Sequence, residues 1–277
     1  MLVFEHVTKR FGQVVAVNDA TLTVEPGIVT SVIGPNGAGK STLVNMAAGS
    51  YAVSAGRILL DGVELQRLPK HRIHQAGLSR TYQNIRLFDG MTVLQNLEVA
   101  LTPTTARGIL AETFLPRAAG LRDERRDRSM AVLDRLGIRR HADREAGDLA
   151  YGEQKLVELA RAIVCDPKAI LLDEPAAGLN HGETDLLKHH ILALRQPGVA
   201  LVLIEHDMKL IMSVSDRIIV MNQGAVLAEG TPAQIRENTQ VQEAYLGQPG
   251  AIHAIEAAAQ GRKNRVRIRS GEGLAWH

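Results

Sequence analysis

The sequence predicts an α/β fold that holds its ligand at the ends of parallel strands, and three observations predict it. Residues 34–42 read Gly-Pro-Asn-Gly-Ala-Gly-Lys-Ser-Thr, between an apolar strand pattern (Ile28 to Ile33) and a helical pattern beginning at Ser41. Two short, wholly apolar runs, 169–172 (Ala-Ile-Leu-Leu) and 200–204 (Ala-Leu-Val-Leu-Ile), have the character of parallel strands covered on both faces. Between them Glu183 to Leu194 repeats at helical spacing, so strand, helix and strand suggest a right-handed crossover.

The other elements follow in chain order. Residues 2–33 alternate and then run apolar, with Pro26-Gly27 as a turn, which predicts an antiparallel sheet leading into a buried strand. Gly56 to Gly62 reads as a further short strand closed by an Asp-Gly turn. From about Asn84 to Ile163 the pattern becomes helical, polar and arginine-rich, including Arg122-Asp-Glu-Arg-Arg-Asp-Arg128, and predicts a second, helical lobe. Asn222-Gln-Gly224 joins two short strands as a hairpin. Thr231-Pro-Ala-Gln234 is a capping box with proline at the first helical position, and its helix is expected to end near Gly247. One domain is thus expected over 1–247, and a basic, flexible tail over 248–277, with Arg262, Lys263, Arg265, Arg267 and Arg269.

Composition bounds the function. A chain of 277 residues with 45% hydrophobic content can build one large domain, or a core with a smaller lobe. Its net charge of +2 gives no global field that argues for nucleic acid. Cys165 is the single cysteine, so no disulfide framework forms within the chain; in its apolar run it reads as a buried core residue, suited to a reducing cytosol. No stretch reaches the ~18 uninterrupted apolar residues of a membrane span, and Glu5 and His6 interrupt the apolar N-terminus. A soluble protein that is not exported is expected.

Gly34, Pro35, Asn36, Gly37, Ala38, Gly39, Lys40, Ser41 and Thr42 form a phosphate-binding loop. Its glycines let successive N–H groups turn toward phosphate oxygens, Lys40 supplies a point charge, and the Ser41 hydroxyl can ligate magnesium. Downstream, Asp173-Glu174-Pro175 puts two adjacent carboxylates at the C-terminal end of a strand, where open α/β sheets bind ligands. Asp173 is the natural magnesium-side carboxylate, and Glu174 is placed to polarise an attacking water. A nucleoside triphosphate is the ligand these features suit.

Leu149-Ala-Tyr-Gly-Glu-Gln154, just ahead of these carboxylates, resembles the signature motif of ATP-binding cassette (ABC) ATPases. The resemblance implies ATP and Mg2+ as cofactors and a P-loop NTPase fold with a mixed core sheet, an antiparallel β subdomain and a helical signature subdomain. It also implies that Ala150, Tyr151, Gly152, Glu153 and Gln154 face ATP held by a second protomer. Phe11 resembles the aromatic residue that stacks on adenine, Gln83 the glutamine that reaches magnesium and the water, and His206 the histidine that contacts the γ-phosphate. Catalysis would then rest on Glu174, His206 and Gln83, and the metal on Ser41, Gln83 and Asp173. Two positions depart from the common pattern: Asn180 replaces an aspartate, and Ala150 replaces a serine. The hydroxyl missing at Ala150 removes a charge-assisted hydrogen bond worth about 1.5–3 kcal/mol.

Arg80-Thr-Tyr-Gln-Asn-Ile-Arg-Leu-Phe88, Met91-Thr-Val-Leu-Gln-Asn-Leu97, Glu174-Pro-Ala-Ala-Gly-Leu-Asn180 and Ile204-Glu-His-Asp-Met-Lys-Leu210 narrow the resemblance to the larger ATPase subunit of branched-chain amino acid importers. It covers about residues 3–247. Membrane permease subunits, a second ABC ATPase subunit (a copy or a related chain) and an external solute-binding protein are the partners implied, on the cytoplasmic face of the cell membrane; nucleic acid is not. Importers of urea, amides or other amino acids are alternatives, and a soluble, non-transport ABC ATPase is the rival from another class. A nucleotide-binding regulator that scarcely hydrolyses ATP is a third reading, against which the retained Lys40, Gln83, Asp173, Glu174 and His206 argue. The apolar cluster Ile85, Leu87, Phe88 and Met91 is either a groove for a permease helix or core packing. The basic tail is either a lipid contact or a solvated end.

Overall fold

The computed structural model describes residues 1–102 and 118–245. Strands β1 (Leu2–Phe11) and β2 (Val14–Val24) pair antiparallel, from Leu2 opposite Val24 to Phe11 opposite Val14. Burial in β1 falls on Leu2 and Phe4 and then, out of phase, on Val7. The register shifts at that point, where His6 has a φ of 51°, so a bulge keeps both halves of the strand facing the core. Strands β4 (Ala55–Leu60) and β5 (Val63–Glu64) complete a four-stranded antiparallel sheet in the order β2-β1-β4-β5.

The second sheet is mixed. It comprises β3 (Val29–Ile33), β6 (Leu78–Arg80), β7 (Ala169–Asp173), β8 (Ala200–Ile204), β9 (Arg217–Asn222) and β10 (Ala225–Gly230), in the order β10-β9-β3-β8-β7-β6. Every neighbouring pair is parallel except β9 and β10, which form the hairpin expected at Asn222-Gln-Gly224. The apolar runs of β7 and β8 are explained by their two faces. Ala169, Leu171, Ala200, Val202 and Ile204 pack toward the antiparallel sheet and α1 (Lys40–Ala47), with Phe4, Leu22, Ile58 and Met46. Alternate residues Ile170, Leu172, Leu201 and Leu203 pack on the opposite side. Each such leucine or isoleucine contributes about 1.5–3 kcal/mol through burial.

That opposite side is helical. Helices α3 (Val93–Ala100), α4 (Ala118–Arg135), α5 (Tyr151–Ile163), α6 (His181–Ala193) and α7 (Met208–Val214) share one core with β7 and β8, through Leu94, Leu133, Val157, Ile191 and Leu210. A third cluster joins Ile33 and Val220 to Ile235, Val241 and Tyr245 of α8 (Pro232–Glu237) and α9 (Thr239–Tyr245).

The structure adds and corrects elements. Strand β6 and the preceding helix α2 (Lys70–Gln75) carry too few residues for a period to show. The helix expected from Thr231 to near Gly247 is broken at Asn238, which leaves helical geometry at ψ 115° and instead accepts the N–H of Val241 at 3.2 Å. Cys165 is half-buried rather than buried: its thiol donates to Ala100 O at 3.3 Å, and burial raises its pKa. The helix end near Gly247 and the basic tail, including Arg262 to Arg269, lie outside the described residues. Among the described residues no helix is long and apolar enough to cross a membrane.

Candidate nucleotide site

The loop 34–42 leaves β3, buried at all five positions, and enters α1. Two glycines are required by close approach. Gly34 has a φ of 153°, and a Cβ there would lie 2.1 Å from Met221 O; Gly39 has a φ of 99°, and its Cβ would lie 2.5 Å from Ala16 O. Ala38 is 2% exposed and anchors the loop, donating to Pro35 O and accepting the N–H of Gly224, both at 3.1 Å. Asn36, Gly37 and Ser41 face solvent, while Thr42 is half-buried. The Lys40 ammonium curls over the loop, donating to the carbonyls of Gly34 at 2.7 Å and Pro35 at 3.1 Å. Burial lowers its pKa, against the opposing pull of Glu174 and Asp173.

This cradle fits a polyphosphate: a helix start with N–H groups lacking intrahelical acceptors, glycines that admit close approach, and one ammonium with only carbonyls for partners. Magnesium fits too. Ser41 and Asp173 offer few, hard oxygen donors, as sites that also use phosphate oxygens do.

Asp173 ends β7 and is 7% exposed. Its Oδ2 accepts from Arg80 Nη2 at 2.7 Å. Glu174 follows with a φ of 47°, a conformation costing of order 1–3 kcal/mol, stabilised by its N–H donating to Ile204 O at 2.8 Å. The strained turn aims the carboxylate toward two side chains. Gln83 Nε2 donates to Glu174 Oε2 at 2.8 Å, and His206 Nδ1 stands beyond hydrogen-bond distance between Glu205 Oε2 at 3.6 Å and Glu174 Oε2 at 3.8 Å. The structure therefore brings Gln83, Glu174 and His206 together, with Lys40 within their electrostatic reach.

The 150–154 segment stands at the start of α5. Ala150 is its N-cap residue, without a side-chain cap, and its N–H donates to Glu153 Oε2 at 3.3 Å. Tyr151 is 44% exposed and donates to Ala177 O at 3.3 Å. A Cβ on Gly152 would lie 2.5 Å from Glu183 Oε1, and Gln154 Nε2 donates to Leu149 O at 3.1 Å. Among the described residues no hydrogen bond or ion pair joins this segment to the loop 34–42. Phe11, 43% exposed, sits at the end of β1 with Tyr51 edge-on at 5.2 Å and the Lys9 ammonium 4.7 Å from its centroid.

The family profile described as "ABC transporter" matches residues 17–177, more than half of the chain. The chain belongs to the ABC transporter family. A second profile, "Branched-chain amino acid ATP-binding cassette transporter", matches residues 225–251. The high-affinity branched-chain amino acid transport ATP-binding protein BraF of Pseudomonas aeruginosa is 49% identical over 245 residues, 87% of this chain and 96% of its own. LivG of Escherichia coli K12, which bears the same description, is 46% identical over 241 residues, 86% of this chain and 94% of its own. A crystal structure of an ABC transporter's ATP-binding cassette in its ADP conformation superposes with a TM-score of 0.77 at 30% identity, covering 90% of this chain and 99% of that one.

In this ABC cassette several polar residues have work that their sequence context does not announce. Glu205, 2% exposed, accepts from the N–H groups of Ala176 at 2.8 Å and His206 at 3.0 Å, tying the loops after β7 and β8; burial raises its pKa. Lys155 and Glu158 of α5, each with a side chain 3% exposed, hold the Gln83 segment from both sides. Lys155 donates to Gln83 O at 2.8 Å, and Glu158 accepts from the N–H of Tyr82 at 3.1 Å. Burial depresses the Lys155 pKa and raises that of Glu158. Asn180, the departure from the aspartate of the common pattern, caps α6: its Oδ1 accepts from Glu183 N–H at 3.0 Å, and Glu183 Oε2 accepts in return from Asn180 N–H at 2.9 Å. Asparagine caps a helix as well as aspartate does.

Proposed function

We propose that this chain is the ATP-binding and ATP-hydrolysing motor subunit of an ABC importer for branched-chain amino acids, working on the cytoplasmic face of the cell membrane. The observation that carries it is the Gln83 hydrogen bond to Glu174 Oε2, with the His206 ring 3.8 Å away, at the strand end that also holds Asp173. The descriptions of the BraF and LivG relatives support the solute class.

In this reading Gly34 to Thr42 hold the phosphates, Lys40 neutralises part of their charge, and Phe11 packs on the adenine. Ser41, Asp173 and Gln83 hold Mg2+. Bound ATP supplies the γ-phosphoryl group, and Mg2+ supplies the counter-charge that eases its transfer. Glu174 Oε2 takes the proton of the attacking water, while the Gln83 amide and His206 imidazole fix the direction from which that water approaches. Ala150 to Gln154 serve the site of the other protomer, so the working unit is a head-to-tail dimer, with a copy of this chain or a related ATPase. Segment 84–163 is the helical lobe of the 1–247 domain. Losing γ-phosphate contacts after hydrolysis loosens the dimer.

The permease contact is proposed at a cleft of about 630 Å³ between the Gln83 segment and the helical lobe, lined by Tyr82, Leu87, Phe88, Val99 and Arg161. Phe88, 48% exposed, favours a groove over core packing, while Leu87 packs partly against the core beside it. The test is mass spectrometry of proteins that co-purify from solubilised native membranes with tagged Glu174→Gln, held closed by ATP and magnesium. Permeases of a branched-chain amino acid importer are expected. Permeases for urea or amides would overturn the solute, and only soluble partners would overturn the transport role.

A further inference from the structure

The side chain of Arg80 is 9% exposed and bonds to two elements distant in the chain. Its Nη2 donates to Asp173 Oδ2 at 2.7 Å, at the end of β7, and its Nη1 donates to Asn45 Oδ1 at 2.8 Å, on α1. Asn45 Nδ2 donates in turn to the carbonyl of Ser41 at 2.7 Å. An unbroken chain of hydrogen bonds thus runs from Asp173 through Arg80 and Asn45 to Ser41. Its ends are the Asp173 carboxylate and the main-chain carbonyl of Ser41, the residue whose hydroxyl is proposed to take the cation.

The guanidinium also lies 4.9 Å from the centroid of the Tyr82 ring, and it links β6, β7 and α1. Arg80 ends a three-residue edge strand, where a guanidinium could reach water. Here it is desolvated instead, and its Nε has no partner. A buried cation repays its desolvation only through good geometry. The geometry present is a planar fork whose two Nη atoms reach acceptors on different elements, which an ammonium on a single pivot cannot reproduce.

We infer that Arg80 is a positioning residue for the metal. It occupies Oδ2 of Asp173, which leaves Oδ1 for a cation, and through Asn45 ties that carboxylate to the first turn of α1, where Ser41 stands. The inference rests on the proposed binding of ATP and magnesium between the loop 34–42 and Asp173. Partners that orient a ligating carboxylate are worth roughly 10–100-fold in metal affinity, which sets the size of effect to seek.

The test titrates Mn2+ by electron paramagnetic resonance into the full chain bound to a non-hydrolysable ATP analogue. Arg80→Met is expected to weaken Mn2+ binding roughly tenfold, with affinity for the analogue in EDTA unchanged. Arg80→Lys should recover less than half of that loss on a logarithmic scale. Asn45→Leu, which leaves the Arg80–Asp173 pair in place, should give a smaller loss in the same direction. Unchanged or tighter Mn2+ binding in Arg80→Met, or full rescue by Arg80→Lys, would overturn the inference. If Arg80→Met does not fold, Asn45→Leu decides: Mn2+ binding equal to wild type overturns it. Failure of the wild-type chain to bind Mn2+ with the analogue would overturn the nucleotide reading as well, whereas wild-type binding with insensitive variants removes only the role of Arg80.

Discussion

Lys155, on the helix that begins with the signature segment, donates to the main-chain carbonyl of Gln83 at 2.8 Å. From the same helix Glu158 accepts the N–H of Tyr82 at 3.1 Å. The segment carrying Gln83 is therefore fastened on both sides to the helix whose first turn is proposed to meet a second protomer. Gln83 in turn reaches Glu174 at 2.8 Å. Movement of that helix reaches the carboxylate through two hydrogen bonds, a short route from dimer closure to the proposed chemistry.

Lys155→Met cuts this connection and leaves buried Glu158 with Arg161 and main-chain N–H groups as its remaining partners. Removing one partner of a buried pair costs about 3–5 kcal/mol. Denaturant unfolding should report a loss near the lower end, because Lys155 and Glu158 stand 4.0 Å apart. The double variant Lys155→Met/Glu158→Leu should lose less than the sum of the two single variants, since the pair is then removed together. A double variant whose loss equals that sum would deny the coupling.

Glu174→Gln keeps the shape of the side chain and removes its capacity to take a proton. Turnover should fall by about 10²–10⁴-fold with ATP affinity retained, the range expected for a lost general base. Size-exclusion chromatography with ATP and magnesium should then show a stable dimer. Substantial remaining hydrolysis would assign the proton to another group.

What was legible in the sequence was local. The loop 34–42, the carboxylates at Asp173 and Glu174, the Asn222-Gln-Gly224 hairpin and the Thr231 capping box each declare themselves through contiguous residues. The apolar runs of β7 and β8 were readable because burial on both faces leaves no polar position. Lys155, Glu158, Arg80 and Glu205 were not readable, since a charged side chain on a helix or strand end is ordinarily solvated. Their partners are remote in the chain: Lys155 meets the carbonyl of a residue 72 positions away, and Arg80 a carboxylate 93 positions away. Asn180 stood out as a departure from a pattern, whereas the structure gives it a local task at a helix start.

Glu205 predicts a pH dependence. Burial raises its folded pKa above the ordinary 4.5, so the folded state keeps a proton that the unfolded chain releases. The sign follows: this group's stabilisation is fully present below pH 4.5 and is lost as pH rises toward the folded pKa. Glu205→Gln removes the titration. Urea unfolding at a series of pH values rising from the ordinary 4.5 should show the variant gaining on wild type as pH rises. A constant gap would mean that Glu205 titrates alike in both states.

Gly34→Ala tests the seat of the phosphate loop. The new Cβ would stand 2.1 Å from the main-chain oxygen of Met221, at a φ of 153° that side-chain-bearing residues rarely adopt. Overpacking costs about 1–3 kcal/mol and the backbone conformation about as much again. A lower melting temperature and weakened nucleotide binding are both expected. Wild-type values for both would show that β9 yields without cost.

Ala150→Ser should improve on the natural sequence in two measurable ways. Ala150 occupies the N-cap of the signature helix in extended geometry, φ −60° and ψ 151°, and its N–H already donates to Glu153 Oε2 at 3.3 Å. Half a capping box is present. A serine hydroxyl would accept from the N–H of Glu153 and close the other half, adding about 1 kcal/mol. For a domain of this size that raises Tm by roughly 2–4 °C. The same hydroxyl would offer its proton to a phosphate held by the partner protomer, a contact of about 1.5–3 kcal/mol, and so tighten the ATP-dependent dimer. The two gains separate cleanly: the Tm shift is read on the nucleotide-free chain, the dimer by sedimentation of Glu174→Gln with and without the added hydroxyl. A higher Tm with an unchanged dimer would place residue 150 away from the partner's nucleotide and limit it to capping its own helix.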